Sequence, residues 1–571
     1  MSTDIGEGDA QSRQKALDDE RLSAGSKYIH EAYGQVPEIG DGRRWYDLPY
    51  RALMWLSSSW RRKVMPRRVR ESLNAGLNYL IPFHEHDLHK VWSRDDPMET
   101  ISVPADEHVT VPGIWVVELF PPSEFASLEN AIERNSWDKK RRYLHDREGN
   151  REMLERSRSG EGWTWWRLAD ITSPESGYWF PDGRKEKLPA AFNAIELRAI
   201  QIGAGLTAVV AYFHLTDDAA ASLDAVWHTP HEPQLVRGPG RPRAENRMWA
   251  TFRITQESRR ALHDAARGWM ADRCPGFFAT NDEPQLLMDM LLLDKHDPIP
   301  GRTDRDFSEA LRALGLTGHD VLHRTSPEVP QMLLCPVERS LCRALGPKRT
   351  WALWGNQDIV AAATPHLDMY GSDNARAITH AADKRMRNVL VMLAVSDFLT
   401  IMEAKYAELR DSARTRHVTF KARGLQRLRA SFLTLSLDLA SVARDVDAFW
   451  RRGWRDEGDA QFKLDYAPWI VADDEKTGRK RFTPIDINDD LRKRQRKWFK
   501  KLIAADRDYR DILSTVASLG ASVDAFKIGR LALWVAFSSL GVALVTLLIA
   551  DIGDRNTMVS VLSWLRSVIG L

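Results

Sequence analysis

Residues 531 to 550, LALWVAFSSLGVALVTLLIA, carry no charged side chain, and no other run in the chain is as long without one. At about 1.5 Å rise per residue a helix over these positions spans the roughly 30 Å hydrocarbon core of a bilayer. The run starts after Arg530 and stops at Asp551, and its small residues Ser538, Ser539 and Gly541 are ones that membrane helices tolerate. A single-pass membrane helix is the expectation, and everything before it has to fold within reach of a lipid surface.

Flanking charge suggests an orientation. Lys527 and Arg530 precede the run, whereas Asp551 and Asp554 outnumber Arg555 just after it. The positive-inside bias places the N-terminal bulk in the cytoplasm, anchored at the cell membrane. The tail, residues 551 to 571, puts Met558, Val561, Leu562, Leu565, Val568 and Ile569 on one helical face. It is too short for a second crossing and reads as an amphipathic helix in the interface.

The 571 residues include 81 Lys plus Arg against 79 Asp plus Glu, a net charge of +2 that gives no global field for drawing in nucleic acid. Nucleic acid is therefore not an expected partner. Three cysteines, Cys274, Cys335 and Cys342, fall in no metal spacing and argue against a disulfide framework. Residues 1 to 44 are polar, have no apolar secretory core at their start, and read as a disordered tail.

Two heptad series lie between this bulk and the membrane run. Leu425, Leu428, Phe432, Leu435, Leu439, Val442, Val446 and Phe449 form one. Leu502, Ala505, Tyr509, Ile512, Val516, Leu519, Val523 and Phe526 form the other. Residues 376 to 530 are therefore expected to form an antiparallel bundle of long helices or a coiled-coil stalk, with a third helix over 384 to 410. Heptads do not distinguish internal pairing from a homo-oligomer. The basic decade 492 to 501, RKRQRKWFKK, reads as a solvated face of that bundle, since about 43 Å of straight helix would separate it from the membrane boundary. A hairpin is expected over 469 to 482, turning at Gly478.

Upstream, the pattern is α+β, with a cytoplasmic α/β head as the expected fold class. In a domain over residues 101 to 236, residues 108 to 120 read as a strand, and Ser123 stands where it can cap a helix over 125 to 134. Residues 195 to 201 and 206 to 215 read as a hairpin turning at Gly203 and Gly205, and Thr216 opens another helix. The order βα…ββα permits a ferredoxin-like sandwich. RGPGRPR makes residues 237 to 245 a linker. Residues 246 to 375 then form a second α/β unit, or the other half of one domain. Their strands are expected at 250–254, 285–293, 331–337 and 350–354, and their helices at 256–272, 307–314 and 357–363.

Residues 45 to 100 form a basic amphipathic helical segment, in which Trp55, Leu56 and Trp60 precede Arg61, Arg62, Lys63, Arg67, Arg68 and Arg70. The expectation is a helix docked on the protein with its basic face in water, although indoles beside cations also suit a membrane surface. In GWTWWRL, Trp163, Trp165 and Trp166 stand too close together for all three to be buried on one strand face. The sharpest chemical grouping is His84, Glu85, His86, Asp87 and His89 in PFHEHDLHKVW. Of these, His84, His86 and His89 are candidate ligands for a divalent metal that would support a metal-dependent enzyme. It resembles the HxHxDH signature of the metallo-β-lactamase fold, with the aspartate in a different position. Phosphate-binding, nucleophile-elbow, HExxH and kinase motifs are absent, so no catalytic residue is assigned and no cofactor other than such a metal is expected.

The order of elements over residues 100 to 571 resembles the CorA-type magnesium-transporter family: an α/β region, long helices, and a stalk continuous with a membrane helix. At the position of that family's Gly-Met-Asn signature this chain has Ala550, Asp551, Ile552 and Gly553, and no second full crossing follows. The resemblance implies a divergent oligomeric cation channel or transporter, and no functional residue is carried over. The residues themselves point first to a non-enzymatic, membrane-anchored sensor or scaffold. Its partners would be the lipid bilayer and a protein or small molecule bound by the head.

Overall fold

The computed structural model describes residues 34–92, 101–138, 149–161, 164–177, 180, 183–238, 241–299, 310–316, 321–337, 349–370, 374–417, 422–451, 458–478, 482–549, 551–552 and 555–570. Residues 1 to 33 of the expected disordered tail lie outside these. The chain divides into two compact units, Met1–Thr400 with Ser441–Lys497, and Ile401–Ala440 with Trp498–Leu571.

The first unit is built on a mixed nine-stranded sheet. Its strands are β1 (Val109–Thr110), β2 (Gly113–Phe120), β3 (Trp165–Thr172), β4 (Arg184–Lys185), β5 (Phe192–Ile202) and β6 (Leu206–Leu215). After a separate hairpin of β7 (Gln234–Val236) and β8 (Arg243–Glu245) come β9 (Leu286–Leu293), then β10 (Leu322–Thr325), which belongs elsewhere, β11 (Leu333–Pro336) and β12 (Thr350–Asn356). The order is β11-β12-β9-β2-β6-β5-β3-β4, with β1 on β9. Only β12 with β9 and β3 with β4 run parallel. The antiparallel part reads β2-β6-β5-β3, in which the hairpin strand β6 sits directly beside β2. With β9 on the other side of β2, the run β9-β2-β6-β5 has the split βαβ order of a ferredoxin-like sheet, as the sequence pattern permits, and the remaining strands extend it at both edges. Strands on both sides of residues 237 to 245 join the same sheet, so residues 246 to 375 supply the other half of one domain and not a separate unit. The expected linker is instead partly strand, since Val236 pairs with Arg243 and Gln234 with Glu245.

Continuous apolar runs make these strands because both sheet faces are covered. Every residue of β2, β6 and β9 is buried. At the β5–β6 turn Gly203 takes φ of +62°, a conformation a side chain resists, and the Asp445 carboxylate accepts the Gly205 N–H. Trp165 and Trp166 divide between the two faces as strand alternation requires, the first exposed and the second buried.

One face is sealed by a helix spanning Arg247–Arg273, which begins where the Asn246 side chain accepts the Trp249 N–H. The strand expected over 250–254 is thus the first turns of this helix, its short apolar run being a buried helical stripe. Phe213 meets Trp269 edge-on at 5.7 Å between ring centroids. The same helix brings Arg259 onto Asp289 of β9 with two bonds of 2.6 and 2.7 Å, and His263 at 2.8 Å. Burial raises the Asp289 carboxyl's proton affinity, but the Arg259 charge and the His263 hydrogen bond overcome it and hold the group well below the usual carboxylate range. The other face is covered by the first part of the helix Asn374–His417, where Trp115 of β2 donates to Asp383 at 3.0 Å. Within the same unit β10 pairs with β13 (Lys463–Tyr466) and β13 with β14 (Ile485–Asp486). The hairpin expected over 469–482 is a helix, Pro468–Thr477, ended by Gly478 in the left-handed region at φ +65°.

In the second unit three helical stretches meet. Tyr406 lies 5.4 Å from Phe432 and 6.2 Å from Tyr509, and Phe432 lies 5.8 Å from Tyr509, all between ring centroids. Tyr406 also donates to Asp506 at 3.0 Å, and Ser436 donates to the same carboxylate. The two heptad series therefore pack within one chain at this level, with the expected third helix packed against both. The second series lies on a 63-residue helix, Ile487–Ile549, whose segment Ile528–Thr546 is long and apolar enough to cross a membrane and is exposed throughout. A shorter apolar helix, Thr557–Ile569, follows. In the basic decade Arg494 pairs with Asp490 at 2.7 Å, Arg496 with Asp447 at 2.7 Å, and Lys501 with Glu403 at 2.7 Å.

Removing the Asp289 carboxylate strands the Arg259 guanidinium in the core. Asp289→Ala is expected to lower the stability of the first unit by about 3–5 kcal/mol, measured by chemical denaturation. A loss of under about 1 kcal/mol would show that the pair is dispensable.

Candidate functional site

A polar network lies where the Asn374–His417 helix covers the sheet. Alternation along β5 and β6 sends Glu196, Arg198, Tyr212 and His214 to that face, and the helical spacing of His380, Asp383 and Arg387 places a second polar row opposite. Glu196 takes His214 Nε2 at 3.0 Å on one oxygen and Arg198 at 2.5 Å on the other. Arg198 continues to Asp383 at 3.3 Å, and Arg387 reaches Asp383 at 3.1 Å. His380 Nδ1 stands 3.8 Å from Glu196, with its ring 5.3 Å from that of His214. Two carboxylates and two guanidinium groups balance, which is how four buried charges are tolerated. Burial lowers the His380 proton affinity, and neighbouring His214 lowers it further.

A cavity of about 630 Å³ opens between the β7–β8 hairpin and the Arg247–Arg273 helix, lined by Arg243, Glu245, Trp249, Arg253, Arg260 and His263 among others. Arg253 is held at its wall by Glu245 at 2.8 Å and Glu257 at 3.0 Å. The volume suits a small molecule, and an indole beside several guanidinium groups suits one with a flat ring and an acidic group.

The histidine-rich stretch, residues 79 to 89, lies on a helix, Arg67–Trp92, with Pro82 inside it, within the helical segment expected over residues 45 to 100. About 100° of rotation per residue sends the side chains apart. His84 Nδ1 lies 3.4 Å from Arg44, His86 contacts the Pro233 carbonyl at 3.2 Å, and His89 stacks on Trp92 at 5.7 Å. Asp87 accepts the Tyr46 hydroxyl at 2.6 Å. His84, His86 and His89 therefore do not converge on one ion. In the neighbouring basic segment Trp45, Trp55 and Trp60 are exposed, and the Arg61 guanidinium lies 3.6 Å above the Trp55 ring centre. The docked arrangement expected for that segment leaves its indoles in solvent.

Among the described residues two other groups bring three donor atoms within 4.8 Å of one another: Glu196 with His214 and His380, and His108 with Asp224 and His228. Sequence reasoning missed both. Glu196, His214 and His380 lie too far apart in the chain to show a spacing. Asp224 and His228, four apart on a helix, carried a signal that could have been found. No family model, no curated protein and no solved structure matches this chain.

Burial raises the Glu196 proton affinity, but the His214 hydrogen bond and the His214, Arg198 and His380 charges reverse this and take its pKa to about 2 from an ordinary 4.5. A depressed value means that the ionised group stabilises the folded state above pH 4.5, and that this is lost as pH falls toward 2. The stability gap between wild type and Glu196→Gln is expected to narrow over that window in urea titrations. A gap constant from pH 7 to pH 2.5 would contradict the network's role.

Proposed function

We propose that this protein is a membrane-anchored, non-enzymatic sensor or scaffold whose N-terminal bulk lies in the cytoplasm. Its mixed-sheet head binds a small acidic ligand or a partner, and its helices couple that head to the bilayer. The observation that carries this reading is the single helix Ile487–Ile549, which belongs to the head at its start and contains the exposed apolar segment Ile528–Thr546. Such a segment has no stable place in water, because its thirteen apolar side chains would remain unburied. The cavity beside Trp249 supports the ligand-binding half of the reading, and the exposed indoles and cations of residues 45 to 70 give the head a surface compatible with anionic lipid. The charge asymmetry around the apolar segment supports the orientation.

The full-length protein is expected to stay with membranes through alkaline carbonate extraction. The double substitution Val535→Arg with Leu540→Arg should release it, since each arginine costs about 2.5–3.5 kcal/mol at the centre of a spanning helix. Wild-type protein in the supernatant would defeat the anchor. Protease added to sealed cells should spare the head, and digestion of the head from outside would reverse the orientation.

A further inference from the structure

We propose that His108, Asp224 and His228 form a surface site for a divalent transition metal of the zinc class, independent of the ligand-binding reading above. Asp224 and His228 stand on one face of the helix Asp217–His228, and His108 immediately precedes β1, which packs beside that helix. Asp224 holds His108 Nδ1 at 3.1 Å through one oxygen, and its other oxygen lies 3.3 Å from His228 Nε2. Zinc bonds of about 2.0–2.1 Å in tetrahedral geometry separate neighbouring ligand atoms by about 3.3–3.4 Å. Each histidine thus stands near this distance from one of the two Asp224 oxygens, and one donor atom from each of the three residues falls within 4.8 Å of the others.

Three further observations favour an ion over a plain charge pair. Both ring nitrogens of His228 are sealed from solvent, yet neither has hydrogen-bond geometry to a partner among the described residues. Its contact with Asp224 is close in distance but misdirected, as an imidazole aimed at a third point would be. The carboxylate is also fixed in place, since the oxygen that faces His228 accepts the Val109 N–H at 2.9 Å, and such hydrogen bonds orient a metal ligand. Finally, the surroundings are acidic: Glu107 and Asp294 add negative charge beside His108. The inner group of Glu196, His214 and His380 is less suited to a cation, because the guanidinium groups of Arg198 and Arg387 lie beside it. His108 is 63% exposed, which leaves the remaining coordination position open to water.

Zn²⁺ titration of metal-stripped full-length protein in detergent, followed by calorimetry, is expected to show a site of one ion per chain. Co²⁺ in its place should give the visible ligand-field bands of a tetrahedral centre. His108→Gln changes an exposed side chain and should leave the thermal midpoint of the metal-free protein in place while weakening Zn²⁺ binding at least tenfold. Asp224→Asn should do the same to binding, and His86→Ala should not affect it. The proposal is overturned if wild type takes up no Zn²⁺, if His108→Gln titrates like wild type, or if binding is lost with His86→Ala or His380→Gln instead.

Discussion

The sheet of the first unit is buried on both faces, and that constraint governs which polar residues it can carry. A strand covered on one side can send its charges to water, whereas β2, β6 and β9 have no such outlet. Two buried clusters are charge-matched, Asp289 with Arg259 and His263 on one face and Glu196 and Arg198 with His214 and Asp383 on the other. Glu118 of β2, by contrast, has no cation beside it among the described residues, accepts the Phe278 and Ala279 N–H groups, and is pushed by burial to a pKa of about 8. Apolar area supplies the driving force for packing these layers, and the paired charges fix the register in which they pack. The covering helices also continue beyond the sheet. Asn374–His417 runs on into the second unit and takes part there in the cluster of Tyr406, Phe432 and Tyr509.

The same constraint explains what could be read from the sequence. Strands at 113–120, 192–202, 206–215, 286–293 and 350–356 stand out because double burial makes them unbroken apolar runs. Their order was legible only in part: the βα…ββα pattern permits β6 between β2 and β5, whereas β9 beside β12 joins segments more than fifty residues apart and no local signal encodes that pairing. Residues 250–254 have the composition of a strand, but the Asn246 cap and the longer amphipathic pattern behind it make them helical. Gly478 was recognisable as a chain reversal, while the type of reversal depended on the helix in front of it.

For chemistry, local density of functional residues misled. Five titratable residues crowd into 84–89, yet a helix disperses them to Arg44, Tyr46, Pro233 and Trp92. The groups that do converge come from isolated residues carried by different elements. His108 reaches Asp224 across 116 positions of chain. Spacing within a motif reports a site only when the secondary structure that presents it is known, and here a long helix with Pro82 inside it gives the three imidazoles separate contacts.

The apolar helix near the C-terminus adds a physical demand of a different kind. In the second unit Leu428, Phe432, Leu439, Phe499 and Leu502 are buried, whereas Ile528–Thr546 is exposed. A hydrocarbon phase suits the exposed segment, because its backbone hydrogen bonds are closed within the helix and Ser538 and Thr546 return their hydroxyls to it, donating to the Val535 and Val542 carbonyls.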